Sequence, residues 1–258
     1  MRTNWVRERL HAGQPTIGCT MGLGSPTVAE LLARVGYHWL TIEMEHNALD
    51  TAQVQHMLMA MNGTETIPIV RVPSAEPVFI QRALDTGAMG ILVPMVKTAD
   101  EARAIVSATR YPPDGTRSFG ALRASQYTLD NEDYFRRAND NILVAFILET
   151  KEAVENVEAI TAVPGVDVLY GGRFDLSLSL GVDPMQPDPL PENEAAFERA
   201  LAAGKKNGVA IGYHCGTPEE MHQRIEQGFT FLCNATDYNL IVDAARDQLA
   251  SVEHLFNG

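Results

Sequence analysis

The chain has 258 residues, 45% of them hydrophobic, and a formal net charge of -13 at pH 7. With a pI near 4.9 it lacks the basic surface that phosphate backbones demand, which argues against nucleic acid as a partner. No apolar run reaches the roughly 18–20 residues of a membrane helix, and the opening MRTNWVRERLHAGQP has no signal-peptide core. The expectation is therefore a cytoplasmic protein with no membrane partner. Cys19, Cys215 and Cys233 are three in number, set in or ending apolar runs. They read as reduced core residues without zinc-site spacing.

Short apolar or β-branched runs alternate with helical stretches along the whole chain. TIGCTM (16–21) precedes SPTVAELLARVG, with Ser25 as cap and Pro26 in the first turn. HWLTIEM (38–44) precedes DTAQVQHMLMAM, capped by Asp50, and IPIVRV (67–72) precedes EPVFIQRALDTG, stopped by Gly87. GILVPMV (90–96) precedes ADEARAIVSATR, after which a turn-rich interruption, 111–140, carries one short helix. ILVAFILE (142–149) is followed by KEAVENVEAITAV, and DVLYGG (167–172) by DLSLSLG and NEAAFERALAAGKKNG. VAIGYH (209–214) with TPEEMHQRIEQG, and TFLCNAT (230–236) with a C-terminal helix from about Tyr238, complete the series.

Eight strand-like runs, each followed by a helix, imply parallel strands buried on both faces. The size fits an α/β fold of the (β/α)8 TIM-barrel type, one domain over 1–258. A doubly wound open sheet is the rival, but GLGSPT has Thr27 where its nucleotide fingerprint needs a third glycine.

In such a barrel the chemistry lies at the C-terminal strand ends. Strand two delivers Glu43, Glu45 and His46, strand three Arg71, strand four Pro94 and Lys97, and strand five Glu149. Strand six delivers Gly171, Gly172, Arg173 and Asp175, strand seven Tyr213 and His214, and strand eight Asn234, Thr236 and Asp237. Glu149 and Asp175 end neighbouring strands, roughly 5 Å apart by strand spacing. Two carboxylates that close repel unless a proton or a cation compensates. A hard divalent ion with oxygen ligands fits, although Asp175 is equally placed to cap the helix that follows. His46 is a candidate general base oriented by Glu43 or Glu45, or else a solvated loop histidine. Arg71 closes an apolar strand and needs an anionic or carbonyl partner. Gly171 and Gly172 let backbone N–H groups approach a substrate carboxylate, or form a tight turn. None of the lysines Lys97, Lys151, Lys205 and Lys206 suits a Schiff base, because strand six ends in Arg173.

ELLARVGYHWLTIEMEH, PIVRV, LDTGAMGILVPMV, ATRYPPDGTR, ILETKEAVEN and GGRFDLSLSLG follow one another across nearly the whole chain. In order and spacing they resemble the HpcH/HpaI group of metal-dependent class II pyruvate aldolases. The group includes 4-hydroxy-2-oxoheptanedioate and 2-dehydro-3-deoxyglucarate aldolases. The resemblance implies a homo-oligomer, a hexamer built as a trimer of dimers, with C-terminal helices exchanged between subunits. It implies a divalent ion (Mg²⁺, Mn²⁺ or Co²⁺) on Glu149 and Asp175, and no organic cofactor. Arg71 would neutralise a developing enolate, His46 supported by Glu45 would move the proton, and Asp85 matches a carboxylate near the family's site.

This sequence departs from the family pattern at several of these positions. Glu43-Met44 stands where aspartate and glycine are usual, Ile147 where glutamine precedes the metal glutamate, and Gly172, Arg173, Phe174 where Gly-Pro-Ala is common. Ile147 and Tyr213 join Glu43 as supporting positions, and the substrate contacts fall to Arg71, Gly172, Arg173, Phe174 and Asp175. The expected function is aldol cleavage or formation of 4-hydroxy-2-oxo acids, with pyruvate or a similar 2-oxo acid and an aldehyde as partners. The alternatives are decarboxylation of oxaloacetate-like acids and non-catalytic binding of an acidic metabolite.

Overall fold

A computed structural model describes residues 1–186 and 189–256. Its strands are β1 (Thr16–Met21), β2 (Trp39–Glu43), β3 (Ile67–Arg71), β4 (Gly90–Val93), β5 (Leu143–Leu148), β6 (Val168–Gly171), β7 (Ala210–His214) and β8 (Phe231–Thr236). They pair in chain order, all parallel, and β8 pairs with β1 to close the barrel. The open-sheet alternative is thereby excluded. β4 stops at Val93, three residues before the sequence-based limit, since Pro94 has no N–H to continue a ladder.

Helices follow the strands: α2 (Pro26–Val35), α3 (Thr51–Ala60), α4 (Pro77–Asp85), α5 (Ala99–Thr109) and α6 (Asn131–Asn141). Ser25, Asp50 and Thr98 accept the N3 backbone N–H of their helices, and Asp50 and Thr98 do so within full capping boxes. The helix expected over 151–163 is two, α7 (Lys151–Glu155) and α8 (Val157–Thr161). The break falls at Asn156, whose Nδ2 donates to Lys97 O at 3.0 Å. Then come α9 (Arg173–Leu180), α10 (Pro191–Asn207), α11 (Pro218–Gln227) and α12 (Asp237–Val252).

One helix was not foreseen. α1 (Trp5–His11) precedes the first strand, capped by the Asn4 side chain. Its Val6 and Leu10 join the cluster inside the barrel, with Trp39, Ile69, Leu143 and Phe231, and so close its lower end. There Trp39 stacks on Phe231 with centroids 4.0 Å apart and rings 3° from parallel. Gly18 makes room for this pair, because a Cβ there would lie 2.0 Å from the Trp39 ring. With the lower end packed, the strand ends opposite are left to hold a ligand. The three cysteines are free and buried, as expected.

Candidate active site

The upper strand ends surround a cavity of about 630 Å³. Its wall begins with a register pair, Glu43 opposite Arg71 on β2 and β3. Arg71 Nη1 donates to Glu43 Oε2 at 2.9 Å, and its Nη2 pairs with Glu45 and lies 3.9 Å from Glu149 Oε2. The other Glu43 oxygen, Oε1, accepts the backbone N–H groups of Glu45 at 2.6 Å and His46 at 3.2 Å. One buried carboxylate thus ties the 45–46 turn to the Arg71 guanidinium. His46 Nε2 lies 3.4 Å from Glu45 Oε2, with 62% of the His46 side chain exposed. Burial raises the Glu45 carboxyl, against the opposing pull of Arg71 and His46.

Glu149 is 2% exposed. Its Oε1 accepts the Met95 backbone N–H at 2.6 Å. Burial pushes the carboxyl up to about 7, opposed by the Met95 hydrogen bond and Arg71 and reinforced by Glu45 and Asp175. Asp175 lines the same cavity, and both carboxylates also face an outer cavity of about 660 Å³. The capping alternative for Asp175 fails: α9 begins two residues earlier, with Gly172 at its N-cap and no side-chain capping bond.

Gly172 is required by close approach. A Cβ there would meet Ile147 Cγ2 at 2.7 Å and Glu149 Cβ at 2.8 Å. Gly172→Ala is therefore expected to cost about 1–3 kcal/mol by overpacking and to displace Glu149. A lowered urea midpoint together with weakened divalent-ion binding would show both effects.

Ile147, Tyr213, Arg173 and Phe174 all line the cavity. The Arg173 guanidinium lies 4.7 Å over the Phe174 ring and donates through Nη2 to Pro184 O and Gln186 O. This departure from the family pattern therefore braces the loop after α9. Asp85 is placed elsewhere. At the end of α4 it accepts from buried Arg117 Nη2 at 2.8 Å, and it does not line the cavity within the chain. Glu45 touches the cavity region only through Arg71 and His46. Asp237 is buried and accepts the N–H groups of Gly22 and Leu23, fixing the turn after β1.

Sequence reasoning passed over Thr20, Thr41 and Tyr170, which point into the cavity from within β1, β2 and β6, and Asn47, Glu220 and Tyr238 on its rim. Polar residues at alternating positions of otherwise apolar strands were the available signal. His214 also lines the cavity. Desolvation pulls its imidazole down, but a hydrogen bond with Cys233 leaves it above its ordinary value.

The HpcH/HpaI aldolase/citrate lyase family model matches residues 17–244. The chain belongs to this family. It is 38% identical over 240 residues to 2-dehydro-3,6-dideoxy-6-sulfogluconate aldolase of Pseudomonas putida, covering 92% of each chain. It is 35% identical over 247 residues to 5-keto-4-deoxy-D-glucarate aldolase of Shigella boydii serotype 18, covering 94% of each. A solved HpcH/HpaI aldolase/citrate lyase family protein from Burkholderia cenocepacia J2315 superposes with TM-score 0.91 at 37% identity, over 97% of this chain and 100% of that one. With aldolases this similar over nearly its full length, the chain is a carbon–carbon lyase. The non-catalytic alternative is set aside.

Proposed function

We propose that the protein is a metal-dependent aldolase that makes or breaks 4-hydroxy-2-oxo acids, using pyruvate or a similar small 2-oxo acid as donor and an aldehyde as acceptor. The observation that carries this reading is the carboxylate pair in one cavity, buried Glu149 beside the Arg71 guanidinium and solvent-exposed Asp175. Among the described residues no group of three or more histidine, cysteine or carboxylate ligands forms. Two carboxylates suit Mg²⁺, Mn²⁺ or Co²⁺, which complete their shells with water and substrate oxygens. The donor set fits such an ion, since a nearly inaccessible carboxylate facing Asp175 and Glu45 calls for positive charge.

When bound, the ion polarises the 2-oxo group and acidifies the neighbouring carbon. Arg71, already held by Glu43, offers N–H groups to the oxyanion that develops during carbon–carbon cleavage, without reorganising at that moment. His46 Nε2, oriented by Glu45, carries the proton between the substrate hydroxyl and solvent. Its exposure favours that exchange. Gly172 and the first turn of α9 admit the substrate carboxylate next to Asp175.

The test is deuterium uptake by pyruvate in D₂O with Mg²⁺, Mn²⁺ or Co²⁺, repeated with chelator. Metal-dependent uptake supports the proposal, and adding an aldehyde or oxaloacetate separates the aldolase from a decarboxylase. Exchange that survives chelation, or a lysine adduct trapped by borohydride, counts against it.

The assembly we propose is a homo-oligomer, a hexamer of three dimers in which α12 is exchanged. Every residue from Tyr238 to Phe256 is exposed on the chain, including Leu240, Ile241, Leu249 and Phe256. A helix this apolar needs a surface to cover it. Ile241→Glu with Leu249→Glu is expected to shift the protein to monomer in native mass spectrometry. We place it in the cytoplasm, a setting that suits three free cysteines. No described helix is long and apolar enough to cross a membrane.

A further inference from the structure

Met95, directly after Pro94 beyond β4, has a left-handed backbone with φ 58°. That region crowds the Cβ of an L-residue against the following carbonyl. The side chain does not explain it, being 49% exposed. The backbone does: in this conformation the Met95 N–H meets Glu149 Oε1 at 2.6 Å.

The surrounding turn is held from both sides. Before it, Leu92 and Val93 pair with Ala145 and Phe146 of β5. After it, Val96 is buried, and the Lys97 and Thr98 N–H groups donate to Glu101 Oε2 at 2.7 and 3.1 Å. Asn156 Nδ2 fixes the Lys97 carbonyl. A sparsely populated conformation persists where its neighbours over-determine it, and such positions cluster at functional sites.

With Oε1 engaged, Oε2 is the Glu149 oxygen that faces Arg71 and the space beside Gly172. We propose that Met95 is a positioning residue for the metal pair: its left-handed backbone anchors one oxygen of Glu149 so that the other is presented, with Asp175, to the cation. The inference rests on the metal reading above. It makes a distinctive demand, because residue 95 must tolerate positive φ while its size matters little.

Mn²⁺ titrated into metal-free wild type, M95G, M95N, M95A and M95V, with free Mn²⁺ followed by electron paramagnetic resonance, separates these properties. Thermal unfolding of each metal-free variant accompanies the titration. Glycine and asparagine, which enter the left-handed region readily, should bind within about twofold of wild type. Alanine, which carries the same Cβ as methionine, should also bind within about twofold, whereas valine, β-branched and most disfavoured there, should bind about tenfold or more weakly. If the valine variant does not fold, the series from methionine through alanine to glycine decides, since a side-chain role would weaken binding along it and a backbone role would not. Affinities that follow side-chain size, with glycine weakest, or a folded valine variant that binds as tightly as wild type, overturn the proposal. A wild type that binds no Mn²⁺ overturns the metal reading and this inference together, whereas a binding wild type with the wrong order overturns this inference alone.

Discussion

Glu149→Gln is expected to abolish divalent-ion binding and yet make the metal-free protein more stable above neutral pH. The wild-type carboxyl is pushed by burial from an ordinary 4.5 up to about 7. The folded state therefore holds its proton more tightly than the unfolded state does. Below about pH 4.5 both states are protonated and ionisation costs nothing; the cost grows as pH rises and levels off above about pH 7. At pH 8 the difference is on the order of 3 kcal/mol. In a chain of this size that corresponds to roughly 5–10 °C in melting temperature. Glutamine keeps the oxygen that accepts the Met95 N–H and carries no charge. Melting curves with chelator from pH 4.5 to 8.5 should show wild type losing stability relative to the variant across the window. Adding Mn²⁺ should restore wild type alone. Parallel pH profiles for the two proteins would refute the account of Glu149 as a destabilised carboxylate awaiting a cation.

Arg71→Lys should lower kcat by about 10²–10³-fold with a smaller change in KM. The guanidinium serves Glu43 through Nη1 while its Nη2 faces Glu45 and Glu149. A lysine ammonium is a single point charge and cannot hold that fork. Two effects then combine: the oxyanion loses donors aimed at it, and the carboxylates around it lose their compensation. Arg71→Ala should in addition destabilise the fold by about 3–5 kcal/mol, the usual result of removing one partner from a buried ion pair. Steady-state kinetics of the lysine variant, with circular dichroism to confirm its fold, distinguish chemical from structural loss. An unchanged kcat would remove Arg71 from the chemistry.

The barrel was legible because its signal is local: apolar runs and capped helices alternate along the chain, as in Asp50 before α3 and Thr98 before α5. The ring of strand-end residues was legible for the same reason, since topology alone sends Arg71, Glu149 and Asp175 to one rim. What escaped depends on contacts between distant segments. Asn156 splits a helix by bonding Lys97, 59 positions away. Asp85 turns to Arg117, 32 positions away. The plugging helix α1 is short and stands outside the repeating pattern, though Asn4 and the Val6–Leu10 spacing were there to be read. Gly172 read as freedom for a ligand to approach; its tighter constraint is the Glu149 side chain behind it.

Glu43 ties two neighbouring parts of the cavity wall together. Because its two oxygens grip the Arg71 guanidinium and the 45–46 backbone at once, the proposed oxyanion partner and the proposed proton carrier share one anchor. Ile147 and residues 172–174 line the same cavity from β5 and the start of α9. On the proposed reading, selectivity for a new acceptor is remodelled at Ile147, Arg173 and Phe174, none of which takes part in the bonds by which Glu43 holds Arg71 and the 45–46 turn.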